Sequence, residues 1–274
     1  MSIIQGILLG ILQGVAEFLP ISSSGHLAIA QKLFGLNEVP LLFDIFLHLA
    51  TLAAVCLYFW KKIWTLLKSL GHFFARKTIE EDSTNLKIII AIILSTVVTG
   101  AIGIFTSKFI PDLPIKFVCA GFLLTSIFLI ISAALEKRQS LKAGSNPFDA
   151  QKISVRQALI IGFMQGIGTL PGISRSGSTI AGAMMCGVNR SFAGDYSFIV
   201  SIPAILGAFV LELKDLEDVS QSIGAAPVIA GCAAAFAVGY ISLSLLMKVI
   251  RKGKLQWFAA YLIPAGILGM IFLK

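Results

Sequence analysis

The sequence has few charged residues, and that shortage excludes a soluble globular protein. Charged side chains make up only 13% of the 274 residues, whereas hydrophobic residues make up 57%. Soluble chains carry about 25% charged residues, so this chain has too few to cover a water-facing surface. Its net charge of +8 comes from basic residues in short segments beside long apolar runs. That pattern is typical of membrane proteins with loops beside lipid headgroups. We therefore predict an integral membrane protein that binds no nucleic acid.

Two further absences narrow the class of protein. The cysteines stand alone within apolar segments, without a CxxC pair or a Cys/His cluster; they are Cys56, Cys119, Cys186 and Cys232. A zinc site or a disulfide framework is therefore not expected. The first residues lack the basic region of a signal peptide, and two glutamines interrupt their apolar run, so we expect this segment to be retained.

A polar motif occurs twice in the chain. Residues 13–26 read QGVAEFLPISSSGH, and residues 165–178 read QGIGTLPGISRSGS. A shift of 152 aligns identical residues without a gap, at Gln13/Gln165, Gly14/Gly166, Ile21/Ile173, Ser22/Ser174, Ser24/Ser176 and Gly25/Gly177. The copies differ at the pairs Glu17/Thr169, Ser23/Arg175 and His26/Ser178. A shared scaffold therefore carries different reactive groups in its two copies.

The apolar runs around the motif predict two similar halves. Each motif interrupts an apolar segment, and neither arm of that segment reaches the ~20 apolar residues that cross a bilayer. Such broken segments are typical of re-entrant hairpins, where irregular backbone is buried in protein or lines a wet cavity. Six better spans are expected near residues 41–60, 86–107, 115–135, 196–213, 225–248 and 255–273. One hairpin and three spans form each half, at about 1–138 and 153–274 of a single membrane domain.

The odd number of spans in each half decides the predicted topology. A hairpin returns to its own side, whereas three spans carry the chain across, so the second motif enters from the opposite face. The predicted fold class is an all-α integral membrane protein with an inverted-topology repeat, six transmembrane helices plus two re-entrant helical hairpins. Repeats of this kind place a shared site near the bilayer midplane.

The basic residues predict the orientation of the chain. On this topology 16 of the 22 Lys and Arg residues fall on one side, which the positive-inside rule makes cytoplasmic. The short turn between Lys108 and Lys116 and the acidic segment 214–218 fall on the other side. We therefore expect the first motif to open toward the outer (periplasmic or extracellular) face.

Arg175 is the most informative single residue. A guanidinium in the middle of an apolar segment costs roughly 2.5–3.5 kcal/mol on insertion scales, so it marks a functional site by default. Small or hydroxylated residues surround it where a helix is expected to begin; they are Gly172, Ser174, Ser176, Gly177 and Thr179. Backbone N–H groups at a helix N-terminus, hydroxyls and a guanidinium together form an anion site. The alternative is an arginine that pairs with Glu17 only to stabilise the fold.

Glu17 is a carboxylate in an apolar segment and needs a partner. It follows Gln13 by four residues, so both side chains share one helical face. A buried carboxylate without a partner takes up a proton, so Arg175, a divalent cation or a proton to donate could explain it. Glu17 and Gln13 offer oxygen ligands to Mg²⁺ or Ca²⁺, although one carboxylate binds metal weakly unless the substrate supplies further oxygens. A protonated Glu17 bonded within the hairpin is the alternative.

The serine run and the histidine of the first motif have both structural and chemical interpretations. Ser22 and Ser24 recur in the second copy and are typical helix caps. Ser23 does not recur, and His26 lies three residues on, where it can face Ser23. The histidine is either structural or an acid, base or nucleophile. We expect His48, in the next span, to form a hydrogen bond inside the bundle rather than to act in catalysis.

These residues resemble one family, the undecaprenyl-diphosphate phosphatases of the bacitracin-resistance type. That family has an (E/Q)xxxE segment followed by a FLPxSSxGH-like run, and a later PGxSRSxxT motif. Here they are residues 13–17, 18–26 and 171–179, and the resemblance covers nearly the whole chain. This sequence has Gln13 at the first variable position, which weakens any claim that two carboxylates chelate a metal.

The resemblance implies an enzyme of a bacterial inner or plasma membrane. The reaction would be hydrolysis of undecaprenyl diphosphate to undecaprenyl phosphate and phosphate, which recycles the lipid carrier for peptidoglycan synthesis and confers bacitracin resistance. The catalytic candidates are Glu17, Ser23, His26 and Arg175. The substrate-binding candidates are Gln13, Ser22, Ser24, Gly172, Ser174, Ser176 and Thr179. Mg²⁺ or Ca²⁺ would bind with the substrate at Glu17 and Gln13, and Ser23, His26 or a water activated by His26 would attack the terminal phosphorus.

Two other functions stay open at this point. Secondary transporters share the inverted-repeat architecture, so the protein could flip a polyprenyl phosphate, alone or besides hydrolysis. A structural membrane subunit is the weaker alternative, because it leaves Arg175 without a purpose. The oligomeric state also stays open, a homodimer included.

Overall fold

The computed structural model describes residues 1–36, 41–109, 113–143, 153–212 and 224–273, and within these ranges the secondary structure is helical. The helices of the first half are α1 (Ile3–Ala16), α2 (Ser23–Leu33), α3 (Leu41–Tyr58), α4 (Trp60–Phe74), α5 (Asp82–Phe109) and α6 (Ile115–Ala143). Those of the second half are α7 (Val155–Ile167), α8 (Arg175–Met185), α9 (Arg190–Glu212), α10 (Ala225–Arg251), a 3₁₀ turn at Leu255–Phe258 and α11 (Ala259–Phe272). The acidic segment 214–218 lies outside the described residues.

The helices confirm an all-α chain with five or six candidate membrane spans. Among the described residues, α5, α6, α9, α10 and the 3₁₀ turn joined to α11 are long and apolar enough to cross a membrane. The predicted span at 41–60 ends at Tyr58, where the chain bends by 79° into α4, and the two helices reach the required length only together. α1 and α7, with 14 and 13 residues, are too short to cross. The inverted arrangement and the re-entrant path stay predictions.

The two broken segments share their helix starts and their capping serines. α1 and α7 begin 152 residues apart, and so do α2 and α8. Ser2 and Ser154 each cap a helix through a capping box with the glutamine three residues on. Ser22 and Ser174 each accept a hydrogen bond from the N–H three residues on and so cap α2 and α8. The shift of 152 found in the sequence therefore repeats helix starts and caps.

The boundaries of the first broken segment differ from the expected ones. The first arm of this segment is apolar over 3–19 in the sequence, and the second follows the serines over 26–34, whereas α1 ends at Ala16 and α2 already begins at Ser23. Pro20 disfavours helical backbone at the residue before it, and the cap at Ser22 starts the next helix early. Ser23 is therefore the first residue of α2 rather than part of a loop.

Glycines allow each short helix to pack closely against a long helix of the other half. A Cβ at Gly10 would lie 2.1 Å from the carbonyl oxygen of Gly231 on α10. A Cβ at Gly162, the equivalent position on α7, would lie 2.6 Å from the carbonyl oxygen of Ser95 on α5. Small residues commonly permit such close helix contacts in membranes. This packing brings the two motif turns toward each other between the halves.

Candidate active site

Glu17 is the acceptor on which several donors of the site converge. It lies at the C-terminal end of α1, and its side chain is 7% exposed. Gln13 Nε2 donates to Glu17 Oε2 over 3.1 Å, which confirms that the two side chains share a helical face. Ser23 Oγ donates to the same oxygen over 2.6 Å. The carboxylate is therefore hydrogen bonded to both arms of the first motif.

Arg175 connects the second motif to this carboxylate. It is the first residue of α8, and its Nη2 donates to Glu17 Oε1. The ion pair that we weighed as a purely structural alternative is thus present, and it joins residues of the two motif copies. The Arg175 side chain is 20% exposed and lines an open cleft. The guanidinium is therefore placed both to neutralise Glu17 and to meet a ligand.

His48 is a second cation candidate beside Glu17. Its Nε2 lies 3.3 Å from Glu17 Oε2, and its Nδ1 lies 2.7 Å from the carbonyl oxygen of Asp44. Both partners are acceptors, so the ring carries a proton on each nitrogen when both hydrogen bonds form. The expected hydrogen bond inside the bundle is confirmed, whereas the contact with Glu17 was not foreseen. With His48 protonated, two cations would flank the Glu17 carboxylate, an arrangement that suits an anion.

Two serines of the motifs, Ser22 and Ser174, cap helices, whereas Ser24 Oγ lies 3.4 Å from Ser22 Oγ and caps no helix. Ser22 Oγ accepts from the N–H of Gly25 and Ser174 Oγ from that of Gly177, at 3.3 and 3.1 Å. Both caps confirm the structural interpretation of these recurring serines. Ser23 instead points its hydroxyl at a carboxylate, and it is the serine without a counterpart in the second motif.

The remaining hydroxyls of the second motif are held by backbone carbonyls. Ser176 Oγ donates to the carbonyl of Phe18 over 3.2 Å, which ties the second motif to the first. Thr179 Oγ1 donates to the carbonyl of Arg175 over 2.6 Å. These residues thus support the first turn of α8. As hydroxyl donors to a ligand they would have to exchange partners.

His26 is separated from the cluster around Glu17. Its Nδ1 lies 2.8 Å from the carbonyl oxygen of Ser22, and its Nε2 lies 2.7 Å from Tyr261 Oη. The ring stacks on Phe122 and on Tyr261, with centroids 5.0 and 5.7 Å away. The helical spacing allows His26 to face Ser23, but its ring nitrogens contact neither Ser23 nor Glu17. The ring turns toward α6 and α11 because their aromatic side chains hold it there.

Gly172 fixes the turn that presents Arg175. Its φ is +89°, a region that residues with a side chain rarely adopt. A Cβ there would lie 2.0 Å from the carbonyl oxygen of Val118 on α6. The N–H of Ser174 also donates to Thr125 Oγ1 of α6 over 3.0 Å. α6 therefore holds the turn of the second motif in place, and substrate binding at Gly172 stays a prediction.

A narrow cleft with room for about one water molecule opens beside the ion pair. Its polar lining comes from both motifs and from two membrane helices, at Glu17, Arg175, Ser176, Thr51, Ser197 and Ser201. Its apolar lining is Phe18, Leu52, Val55, Phe198 and Ile205. The sequence did not single out Thr51, Ser197 or Ser201, because isolated hydroxyls are common in apolar spans. The lining therefore combines one cation and several hydroxyl groups with apolar side chains.

The described residues fit a divalent cation only in part. They contain no group of three His, Cys, Asp or Glu side chains that could hold a metal. Both oxygens of Glu17 already accept hydrogen bonds. Gln13 Oε1, however, is buried without a hydrogen-bond partner, and an amide oxygen is a suitable ligand for Mg²⁺ or Ca²⁺. A cation fits here if the substrate supplies most of its ligands.

The chain is similar to known proteins over nearly its whole length. The family model described as "Bacitracin resistance protein BacA" matches residues 6–268. An undecaprenyl-diphosphatase of Treponema denticola is 46% identical over 267 residues, which cover 97% of this chain and 96% of that protein. A protein of the same name from Borrelia hermsii is 38% identical, over 96% of this chain and 96% of that protein. Another from Methanosphaera stadtmanae is also 38% identical, over 99% of this chain and 98% of that protein. The chain therefore belongs to the family of the bacitracin resistance protein BacA.

Proposed function

We propose that this protein hydrolyses undecaprenyl diphosphate to undecaprenyl phosphate and inorganic phosphate, and so recycles the lipid carrier of peptidoglycan synthesis. The observation that carries the proposal is the meeting of Glu17, Ser23, Arg175 and His48 beside a cleft with apolar walls. The relatives named undecaprenyl-diphosphatase cover nearly the whole chain. Bacitracin resistance follows from removal of the diphosphate that the antibiotic sequesters.

Arg175 would bind the diphosphate by exchanging Glu17 for phosphate oxygens. A guanidinium binds phosphate in bidentate geometry, and the N-terminus of α8 adds backbone N–H groups beside it. Protonated His48 contributes a second positive charge at the same place. Phosphoryl transfer depends mainly on positioning and on charge stabilisation, and donors already in place need little reorganisation when charge develops.

Ser23 is the nucleophile that the geometry favours. Its hydroxyl donates to Glu17 over 2.6 Å, so the carboxylate can accept the proton as Ser23 Oγ attacks the terminal phosphorus. The P–O bond to the bridging oxygen breaks, and undecaprenyl phosphate leaves. Water then cleaves the phosphoserine, and the serine recovers its proton. His26 would act as a positioning residue, because it holds the first turn of α2 through Ser22 and Tyr261.

A divalent cation would bind together with the substrate. Gln13 Oε1 would be its protein ligand, with Glu17 joining if one of its donors leaves. Mg²⁺ or Ca²⁺ bound there would neutralise charge on the diphosphate. Gln13 would also keep its Nε2 bond to Glu17, and so hold the carboxylate in place for Ser23.

The finer points of topology are part of the proposal. We propose a multi-pass protein of a bacterial inner or plasma membrane, with inverted halves and a site that opens toward the outer face. The parallel helix starts at a shift of 152 support the repeat, and the distribution of Lys and Arg supports the orientation. The homodimer stays a prediction.

Phosphate release from a polyprenyl diphosphate by purified protein in detergent, with Mg²⁺ or Ca²⁺ present, tests the proposed function. We expect wild type and Arg156→Ala to be active, because Arg156 lies on an exposed part of α7. Arg175→Ala should lose nearly all activity. Phosphate release by the wild type no higher than that by Arg175→Ala would overturn the proposal that the protein is an enzyme. Movement of a polyprenyl phosphate across vesicles without phosphate release would instead support a flippase.

A further inference from the structure

The helix α4 lies between the predicted spans 41–60 and 86–107, in a segment rich in lysine and arginine, and the proposed reaction does not use it. It follows α3 after a bend of 79°. If α3 crosses the bilayer near its normal, α4 runs nearly parallel to the membrane surface. Its three faces differ in chemistry, and each has a separate set of neighbours.

One face of α4 is fixed to the protein. Ser69 is buried, and its hydroxyl accepts a hydrogen bond from Asn85 Nδ2 of α5 over 2.9 Å. His72 Nδ1 lies 3.0 Å from Asp82 Oδ2, at the first residue of α5. Lys62 forms an ion pair with Asp195 of α9. α4 is therefore held against the helix bundle at several points along its length.

A second face is apolar and exposed. Trp60, Trp64, Leu67 and Phe74 follow one another at spacings of four, three and seven residues, which place them on one stripe of the helix. Trp64 is 64% exposed and Phe74 76% exposed. A contiguous aromatic stripe of this kind marks an interaction surface rather than a water-facing one. Tryptophan is enriched where a protein meets the membrane–water boundary.

The third face is basic. Lys61 and Lys68 lie one heptad apart on the exposed side of α4, and Arg76 and Lys77 follow its C-terminal end, also exposed. Lys61 Nζ lies 5.8 Å from the ring centre of Trp60, so the basic face begins next to the aromatic stripe. Helices with aromatic and basic faces side by side lie in the membrane interface and bind anionic lipid.

We propose that α4 is an interfacial helix that binds an anionic membrane surface. The stripe of Trp60, Trp64, Leu67 and Phe74 inserts at the boundary between headgroups and acyl chains, and the basic face binds lipid phosphates. A bilayer fits better than a protein partner, because α5, which packs against α4, also exposes apolar side chains at Ile90 and Ile93. The inference does not depend on the proposed reaction.

Tryptophan fluorescence of the full chain in lipid nanodiscs tests where the stripe lies. Trp257→Phe removes the remaining tryptophan, so that Trp60 and Trp64 report alone. Phospholipids brominated high on the acyl chain should quench both strongly, and aqueous acrylamide should quench them weakly. Strong acrylamide quenching without bromolipid quenching would overturn the proposal. Protection of these tryptophans from acrylamide that appears only when each nanodisc holds more than one protein copy would also overturn the proposal. A second copy of the chain would then cover the apolar stripe.

Anionic lipid preference tests the basic face. The ratio of phosphatidylglycerol to phosphatidylcholine retained by the purified protein should fall in the variant Lys61→Gln/Lys68→Gln/Arg76→Gln. Each basic residue near a membrane surface contributes roughly a fivefold effect. The matched control is Arg251→Gln/Lys252→Gln/Lys254→Gln, which removes three exposed basic residues beyond α4. A fall no larger than that of the control would overturn the assignment of lipid binding to α4.

Discussion

Removal of either partner of the Glu17–Arg175 pair should destabilise the protein, and the two losses should be unequal. Both side chains are mostly buried, at 7% and 20% exposure. Removing one partner of a buried ion pair costs about 3–5 kcal/mol. Arg175→Met leaves Glu17 beside His48, so its cost should be near 3 kcal/mol, at the lower end of that range. Glu17→Gln leaves two cations together, so its cost should be near 5 kcal/mol.

The double variant Glu17→Gln/Arg175→Met should cost less than the sum of the single variants. Replacing both members of a buried pair by neutral side chains avoids leaving a charge without a partner. We expect a coupling free energy of at least about 2 kcal/mol, within the range for residues in direct contact. Denaturant titration of purified protein in detergent micelles, followed by circular dichroism, measures the free energy of unfolding for all four proteins.

The ion pair Glu136–Arg190 supplies a control for this comparison of single and double variants. Arg190 Nε lies 2.8 Å from Glu136 Oε1, and Arg190 is 35% exposed. A more exposed pair should show coupling of about 1 kcal/mol or less, and its variants should keep phosphate-release activity. Additive losses at Glu17 and Arg175, or Arg175→Met with wild-type stability, would refute the idea that the two motifs are joined by this ion pair.

Three further perturbations probe other parts of the site. Gly172→Ala should reduce kcat and thermal stability, because its Cβ would lie 2.0 Å from the Val118 carbonyl oxygen. Gly103→Ala is the control and should change neither, since no atom lies within 4 Å of its Cβ. Equal effects of the two substitutions would contradict this prediction. Tyr261→Phe removes the partner of His26 Nε2 and should lower kcat/KM up to about tenfold, in line with one hydrogen bond; an unchanged kcat/KM and pH profile would show that His26 needs no such support. Chelation with EDTA should abolish phosphate release, reversibly on addition of Mg²⁺ or Ca²⁺, without lowering the thermal stability of substrate-free protein; a lowered stability would indicate a resident metal.

Much of the fold was predictable because membrane helices and repeated motifs leave strong local signals. Apolar runs of about 20 residues indicate spans, and five of the six predicted spans correspond to candidate spans in the structure. The shift of 152 predicted equivalent helix starts, and the caps at Ser22 and Ser174 follow it. The contact between Gln13 and Glu17 followed from helical spacing alone.

The parts that were not predictable depend on packing between distant segments. Nothing near His26 indicates that Phe122 and Tyr261 stack on its ring and turn it away from Ser23. The contact of His48 with Glu17 depends on how α3 packs against α1. The sequence held one signal that His48 has a special role, because the equivalent stretch of the second half, in α9, carries no histidine. α4 was missed because its lysines suggested a loop, although its apolar residues recur at helical spacing.

The distribution of shared and differing residues explains why a duplicated fold can carry a single reaction. Several residues that both copies share perform structural work, as caps at Ser22 and Ser174 and as close helix contacts at glycines. At one aligned position the copies differ and meet on a single carboxylate, since Ser23 and Arg175 both contact Glu17. A carrier that alternates between two faces gains from equivalent groups in its two halves. Hydrolysis instead needs a nucleophile on one side of the phosphorus and a cation on the other, so divergence at this one aligned position favours an enzyme.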